Sequence, residues 1–155
     1  MSADRNIYQM DLAGLLLDEA QHLITQGYYE DALQKLQKCL QLESGPTKRT
    51  AILDLTGYCF LRLGWYEEAV KVYTEYLKIY PMDNDGRFFL ASAYAPLKWT
   101  DEAIKELKSI LSSNPTDVLA RHDLSLCYRD KGWLRESLEE MRIANKYAVT
   151  CGNAE

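Results

Sequence analysis

The chain has 155 residues, 47% apolar and 26% charged, with 8 Gly and 4 Pro, which suits one folded domain and excludes a disordered or linker-rich protein. Its 18 basic and 23 acidic residues leave a net charge of −5, so neither nucleic acid nor an anionic membrane surface is the expected partner. Met1-Ser2-Ala3-Asp4-Arg5-Asn6 leads into no apolar signal core, and the uncharged run Leu12 to Leu17 is far too short to insert in a membrane, so a cytoplasmic chain is expected.

Residues 1–11 read as an N-terminal tail whose Ile7, Tyr8 and Met10 could cover apolar surface elsewhere in the chain. Helical spacing begins near residue 12. A first hairpin, residues 13–46, has Leu16, Ala20 and Leu23 on one helix, Gly27 at the turn, and Ala32 and Leu36 on the next helix. A second hairpin, 50–83, is clearer. Leu53, Gly57 and Phe60 share one helix face, and Gly64 ends that helix. Glu67 and Glu68 open the next one, where carboxylates meet the positive helix end, and Pro81 stops it. The third and fourth hairpins, 84–117 and 118–149, follow the same plan, and residues 150–155 read as a C-terminal tail.

The plan keeps a fixed beat. Trp65, Trp99 and Trp133 are 34 residues apart, as are Phe60, Tyr94 and Tyr128, and Glu68, Glu102 and Glu136. Small residues recur at Gly57, Ala91 and Ser125 and at Ala69, Ala103 and Ser137, where they let two helix axes approach to about 8–10 Å. A period of this length means one supersecondary unit stacked on its copies. The first hairpin sits 37 residues before the second (Ala32 to Ala69), which places an insertion near Ser44-Gly45-Pro46-Thr47.

Gly57, Phe60, Gly64, Tyr66, Ala69, Tyr73 and Pro81 resemble the tetratricopeptide repeat pattern. Leu90, Ala91, Tyr94, Ala103, Leu107 and Pro115 match it one period on. Leu124, Tyr128, Gly132, Met141 and Ala144 match it again. The resemblance covers roughly residues 12–149. It implies an all-α solenoid of four antiparallel helix-turn-helix hairpins wound into a right-handed superhelix. Lys98, where a turn glycine is usual, and Pro96 beside it depart from the pattern and predict an altered turn in the third hairpin.

No Gly-rich phosphate loop, HExxH or nucleophile elbow is present, so no enzyme, cofactor or metal is expected. Cys39, Cys59, Cys127 and Cys151 lack metal-like spacing and read as small buried hydrophobes. The resemblance implies instead a non-catalytic protein–protein interaction module. It would hold a peptide or helical segment of a partner against the first helix of each hairpin. The residues it assigns there are Leu17, Gln21, Tyr58, Leu61, Arg62, Phe88, Ser92, His122, Leu126 and Arg129. The family's clamp for chaperone tails ending in Glu-Glu-Val-Asp needs cations where this chain has Leu17, Gln21, Leu55, Asp85 and Phe89, so that ligand is not expected. Gly86-Arg87-Phe88-Phe89-Leu90 is similar to a stretch in the tetratricopeptide chaperones of type III secretion, an alternative role.

Two further surfaces follow from the pattern. Trp65, Trp99 and Trp133 form a possible edge surface at the turns, or else seal the edge of the core. Only a short tail follows the last helix in this sequence, so either the chain is part of a longer protein or Leu138, Met141 and Ala144 are partly uncovered and support a homodimer or a larger self-assembly.

Overall fold

The computed structural model describes the backbone of residues 2–42 and 45–152, and the side chains of residues 12–42, 45 and 48–149. Ile7, Tyr8 and Met10 therefore lie outside the described side chains. Among the described residues every regular element is an α-helix. The helices are α1 (Ser2–Gln26), α2 (Tyr29–Leu42), α3 (Pro46–Leu63), α4 (Tyr66–Ile79), α5 (Asn84–Tyr94), α6 (Thr100–Ser113), α7 (Val118–Asp130) and α8 (Leu134–Gly152). They pair as hairpins α1–α2, α3–α4, α5–α6 and α7–α8. The chain forms two compact units, Met1–Pro81 and Met82–Glu155, each of two hairpins.

The four turns inside the hairpins share one construction. Gly27, Gly64 and Gly132 take the left-handed conformation (φ 84°, 75° and 77°), which costs glycine nothing because it has no Cβ. In each turn the next residue, Tyr28, Trp65 or Trp133, donates its N–H back across the turn to the carbonyl of Leu23, Phe60 or Tyr128. That closes the helix end as a Schellman motif does. The altered turn expected in the third hairpin lies ahead of Lys98 and not at it. Lys98 itself adopts φ 61°, and Trp99 donates to the carbonyl of Tyr94 as its counterparts do. What changes is the helix before it: α5 ends at Tyr94, and a run of turns carries the chain through Pro96, which has no N–H to continue the ladder. The insertion near residues 44–47 falls partly into the start of α3, which has 18 residues against 11 in α5 and 13 in α7.

Each unit has its own core. In the first, Ala20, Ala32, Leu36, Cys39, Ile52 and Cys59 form a buried cluster, so α3 covers the α1–α2 hairpin. In the second, Ala91 of α5, Ala103, Ile104, Leu107 and Ile110 of α6, and Ala120, Leu124, Cys127 and Tyr128 of α7 form another. Here α7 seats on α6 across the hairpin boundary. The small positions work as the spacing requires. A Cβ on Gly57 would lie 2.6 Å from the ring of fully buried Tyr73. Ser125 and Ser137, the fourth copy of the small pair, face each other at 3.3 Å through their hydroxyls.

Candidate functional site

The first helices of the hairpins carry all the residues expected to bind a partner. In the first unit, Leu17 on α1 and Tyr58 and Leu61 on α3 are half-buried, whereas Gln21 and Arg62 are exposed. Leu17 belongs to the rim of the core, and Arg62 lies over the ring of Tyr29 at 5.4 Å. Tyr58 meets the same ring edge-on at 6.3 Å. Leu17, Tyr58 and Arg62 are thus engaged with their own unit.

In the second unit a cavity of about 340 Å³ opens between α5 and α7. Three of the expected residues, Ser92, Leu126 and Arg129, line it together. Its walls are Ala91 and Ala95 from the end of α5 and Cys127 from α7, with Pro96 at the turn and Leu107 of α6 also contributing. Asp123, Arg129 and Asp130 supply the charge. Phe88 and His122 are on the same two helices but do not line the cavity. Phe88 packs on the core, and His122 holds Asp123 through Nδ1 at 3.0 Å. Asp130 has Lys98 at 3.9 Å. The hydroxyl of Ser92 donates to the carbonyl of Phe88, so it is satisfied within α5. A pocket that is mostly apolar with a few charged groups around it is the usual form of a small binding site.

Sequence reasoning missed two features of this site. The cavity owes its width to Ala91 and Ala95 opposite Leu126 and to the early end of α5 at Tyr94. The Pro96 departure was its only signal. The second feature is a pair of largely buried ion pairs, Arg87 with Glu106 and Arg121 with Glu140, which tie α5 to α6 and α7 to α8. Both partners recur at the 34-residue period, so this signal was legible. Arg121 also donates through Nε and Nη2 to the carbonyl of Pro115, at 3.0 and 2.7 Å.

The tryptophans behave as one set. Each is the residue before the second helix of its hairpin, and its carbonyl accepts the N–H of Ala69, Ala103 or Ser137. Each indole lies on the preceding aromatic residue, Phe60, Tyr94 or Tyr128, with centroids 5.8, 5.8 and 5.6 Å apart. Even so, Trp65, Trp99 and Trp133 stay 47%, 43% and 44% exposed. They therefore both seal a helix end and present a ring to solvent. Trp65 and Phe60, with Leu33, Gln34, Gln37, Leu40 and Glu30 of α2, line a shallow cavity of about 500 Å³ in the first unit.

On α8 the expected patch is divided. Leu138 is exposed, Met141 is half-buried, and Ala144 is buried at 3%. Ala144 thus leaves the uncovered set. Leu134 and Val149 join Leu138 as exposed apolar groups on that helix.

Burial pushes the thiols of Cys59 and Cys127 up to about 11, and at Cys127 the carboxylates of Asp123 and Asp130 add to the shift. Among the described residues no group of three His, Cys, Asp or Glu could hold a metal ion. No helix there is long and apolar enough to cross a membrane.

The family model described as tetratricopeptide repeat matches residues 53–82 and 85–117. No curated protein matches the sequence significantly. Among solved structures, a crystal structure of MamA superposes with a TM-score of 0.82 at 18% identity, covering 90% of this chain and 80% of that one. A MamA fragment from Desulfovibrio magneticus RS-1 gives 0.81 at 25% identity, covering 88% and 76%. YrrB, described as a TPR protein with an unusual peptide-binding site, gives 0.79 at 16% identity, covering 87% and 68%.

Proposed function

We propose that this chain, a member of the tetratricopeptide-repeat family, is a non-catalytic interaction module that holds a peptide or helical segment of another protein. The cavity between α5 and α7 carries the reading. It brings Ser92, Leu126 and Arg129 together around about 340 Å³, room for one apolar side chain of a bound segment. Arg129 is exposed and its two acidic neighbours already have His122 and Lys98 beside them. A segment that puts an apolar side chain into the cavity and a carboxylate beside Arg129 would satisfy both features. The solved neighbour described as peptide-binding supports the general class of function.

The test is a comparative pull-down with three baits: the native chain, Ala95→Phe and Arg129→Glu. Ala95 is exposed and lines the cavity, so the added ring fills it from the rim without entering the core. Partners that bind through this site are lost from both variants while circular dichroism stays unchanged. A partner set that is identical for all three baits rejects the site.

A further inference from the structure

The surface beside the turn tryptophan is built once in each unit, and the two copies differ in charge. In the second unit it lies between α6 and the turn from α7 to α8, and the chain furnishes it with its own cations. Lys131, at the end of α7, pairs with Asp101 in the first turn of α6 and lies over the ring of Trp133 at 5.0 Å. Lys108 of α6 lies over the ring of Tyr128 at 5.6 Å. A carboxylate and the face of an indole thus hold one ammonium group between them, and each attracts it independently.

In the first unit α2 and the turn from α3 to α4 repeat this arrangement. Glu30 takes the place of Asp101, Phe60 of Tyr128 and Trp65 of Trp133. The cations do not recur. Leu63 stands where Lys131 does, and Gln37 where Lys108 does. Glu30 and Trp65 are exposed, and no partner of the Glu30 carboxylate is found among the described residues. Nearby basic side chains are engaged elsewhere: Lys35 with Glu19, Arg49 with Glu75, and Arg62 over the ring of Tyr29. What remains is the cavity of about 500 Å³, which runs along α2 from Glu30 in its first turn to Leu40.

From this we infer that the groove binds an extended segment of a partner protein through a basic side chain, set between Glu30 and Trp65 as Lys131 is set between Asp101 and Trp133. Arginine fits better than lysine, because its planar fork matches a carboxylate and stacks on an indole. Leu33, Leu40 and Phe60, all half-buried, seat an apolar side chain further along. Gln34 and Gln37 are exposed in the same groove and offer amide donors and acceptors to the segment's main chain. From Glu30 to Leu40 the helix rises roughly 15 Å, the span of about five extended residues. Charge selects this occupant. The second unit shows that a cation belongs at this place, and the first unit presents the acid and the ring without one. A second copy of the chain brings the same net charge of −5, which opposes its approach to an acidic groove.

The probes are acetylated, amidated peptides of sequence Arg-Ala-Leu-Ala-Leu and its reverse, in which alternate residues face one side when extended. Each is also made with citrulline, a neutral isostere, in place of arginine. They are titrated into the isotope-labelled full chain and followed by nuclear magnetic resonance through the indole N–H signals of its three tryptophans, with Trp65→Phe identifying one of them. In at least one chain direction the arginine peptide is expected to move the Trp65 signal and to bind about fivefold more tightly than its citrulline form. Glu30→Gln removes most of that preference with circular dichroism unchanged. Leu63→Lys rebuilds the ion pair of the second unit and weakens binding of the arginine peptide. The proposal is overturned if no peptide moves the Trp65 signal, if arginine and citrulline bind alike, or if the preference survives Glu30→Gln. A Trp65 signal that shifts with protein concentration in the absence of peptide gives the groove to a second copy and also overturns it. Ala95→Phe and Arg129→Glu leave this binding intact, so this site and the α5–α7 cavity can each fail alone.

Discussion

Position 57 is a glycine because the ring of Tyr73 already fills the space a methyl group would take. The contact would be 2.6 Å, and Tyr73 is fully buried with its hydroxyl directed to the carbonyl of Asp54, so the ring has nowhere to go. The next hairpin solves the same contact with Ala91 and Leu107, one methyl larger against a smaller partner. Gly57→Ala alone is therefore expected to destabilise by about 1–3 kcal/mol, despite alanine's better helix propensity. In a Tyr73→Leu background the same substitution is expected to stabilise. Urea titrations of the four proteins read this change of sign; an equal effect in both backgrounds would remove Tyr73 as the cause. Lys98 presents the opposite case. It holds a left-handed backbone that its three counterparts give to glycine. Such a conformation costs a residue with a Cβ about 1–2 kcal/mol, partly offset by the greater freedom glycine loses on folding. Its ion pair with Asp130, at 3.9 Å between exposed groups, contributes little. Lys98→Gly is expected to raise the melting temperature by a few degrees, equivalent to about 0.5–1 kcal/mol.

The hairpin is the scale at which the sequence was most readable. Repetition of Trp65, Trp99 and Trp133 marked the turns, and the structure makes each of them the residue that caps one helix and starts the next. The small residues marked the close approach of paired helices. Two expectations held only in part. Of the two departures expected to alter the third turn, Pro96 does so by ending α5 early, whereas the hydrogen bonds of the turn hold Lys98 in the glycine conformation. Ala144 was assigned to open surface, though it is buried like the rest of the α8 inner face. The cavity was only half legible, because its walls come from α5, α6 and α7 and its width depends on where α5 stops. Within the fourth hairpin the small pair has become polar: Ser125 and Ser137 bond to each other where the third has Ala91 and Ala103. Removing one hydroxyl leaves the other buried and short of a partner, at about 1 kcal/mol. Replacing both by alanine reproduces the third hairpin and is expected to be close to neutral. A double-mutant cycle by thermal melting measures the coupling, and additive single effects would show that the two hydroxyls act independently.

For the molecule as a whole, buried acids set how stability responds to alkali. Cys59 and Tyr73 lie in the first unit and Cys127 in the second, so both units share the response. Burial pushes both thiols up to about 11, and burial together with the charge of Asp54 holds the Tyr73 phenol above its usual range. An unfolded thiol ionises well below that, near pH 8.5. Below that value both states keep the proton and the stability is full. Above it the unfolded chain releases the proton while the folded one retains it, so stability falls with rising pH until the folded thiol also ionises. The urea midpoint is thus expected to be flat from about pH 7 to pH 8 and to decline between about pH 8.5 and pH 11. Cys59→Ala with Cys127→Ala separates this effect from simple packing. The double variant is less stable at neutral pH, since each loss leaves a small cavity, yet its decline through the alkaline range is shallower than that of the native chain. A decline as steep as the native one would place the sensitivity outside these thiols and leave Tyr73, held against Asp54, as the group to replace with phenylalanine.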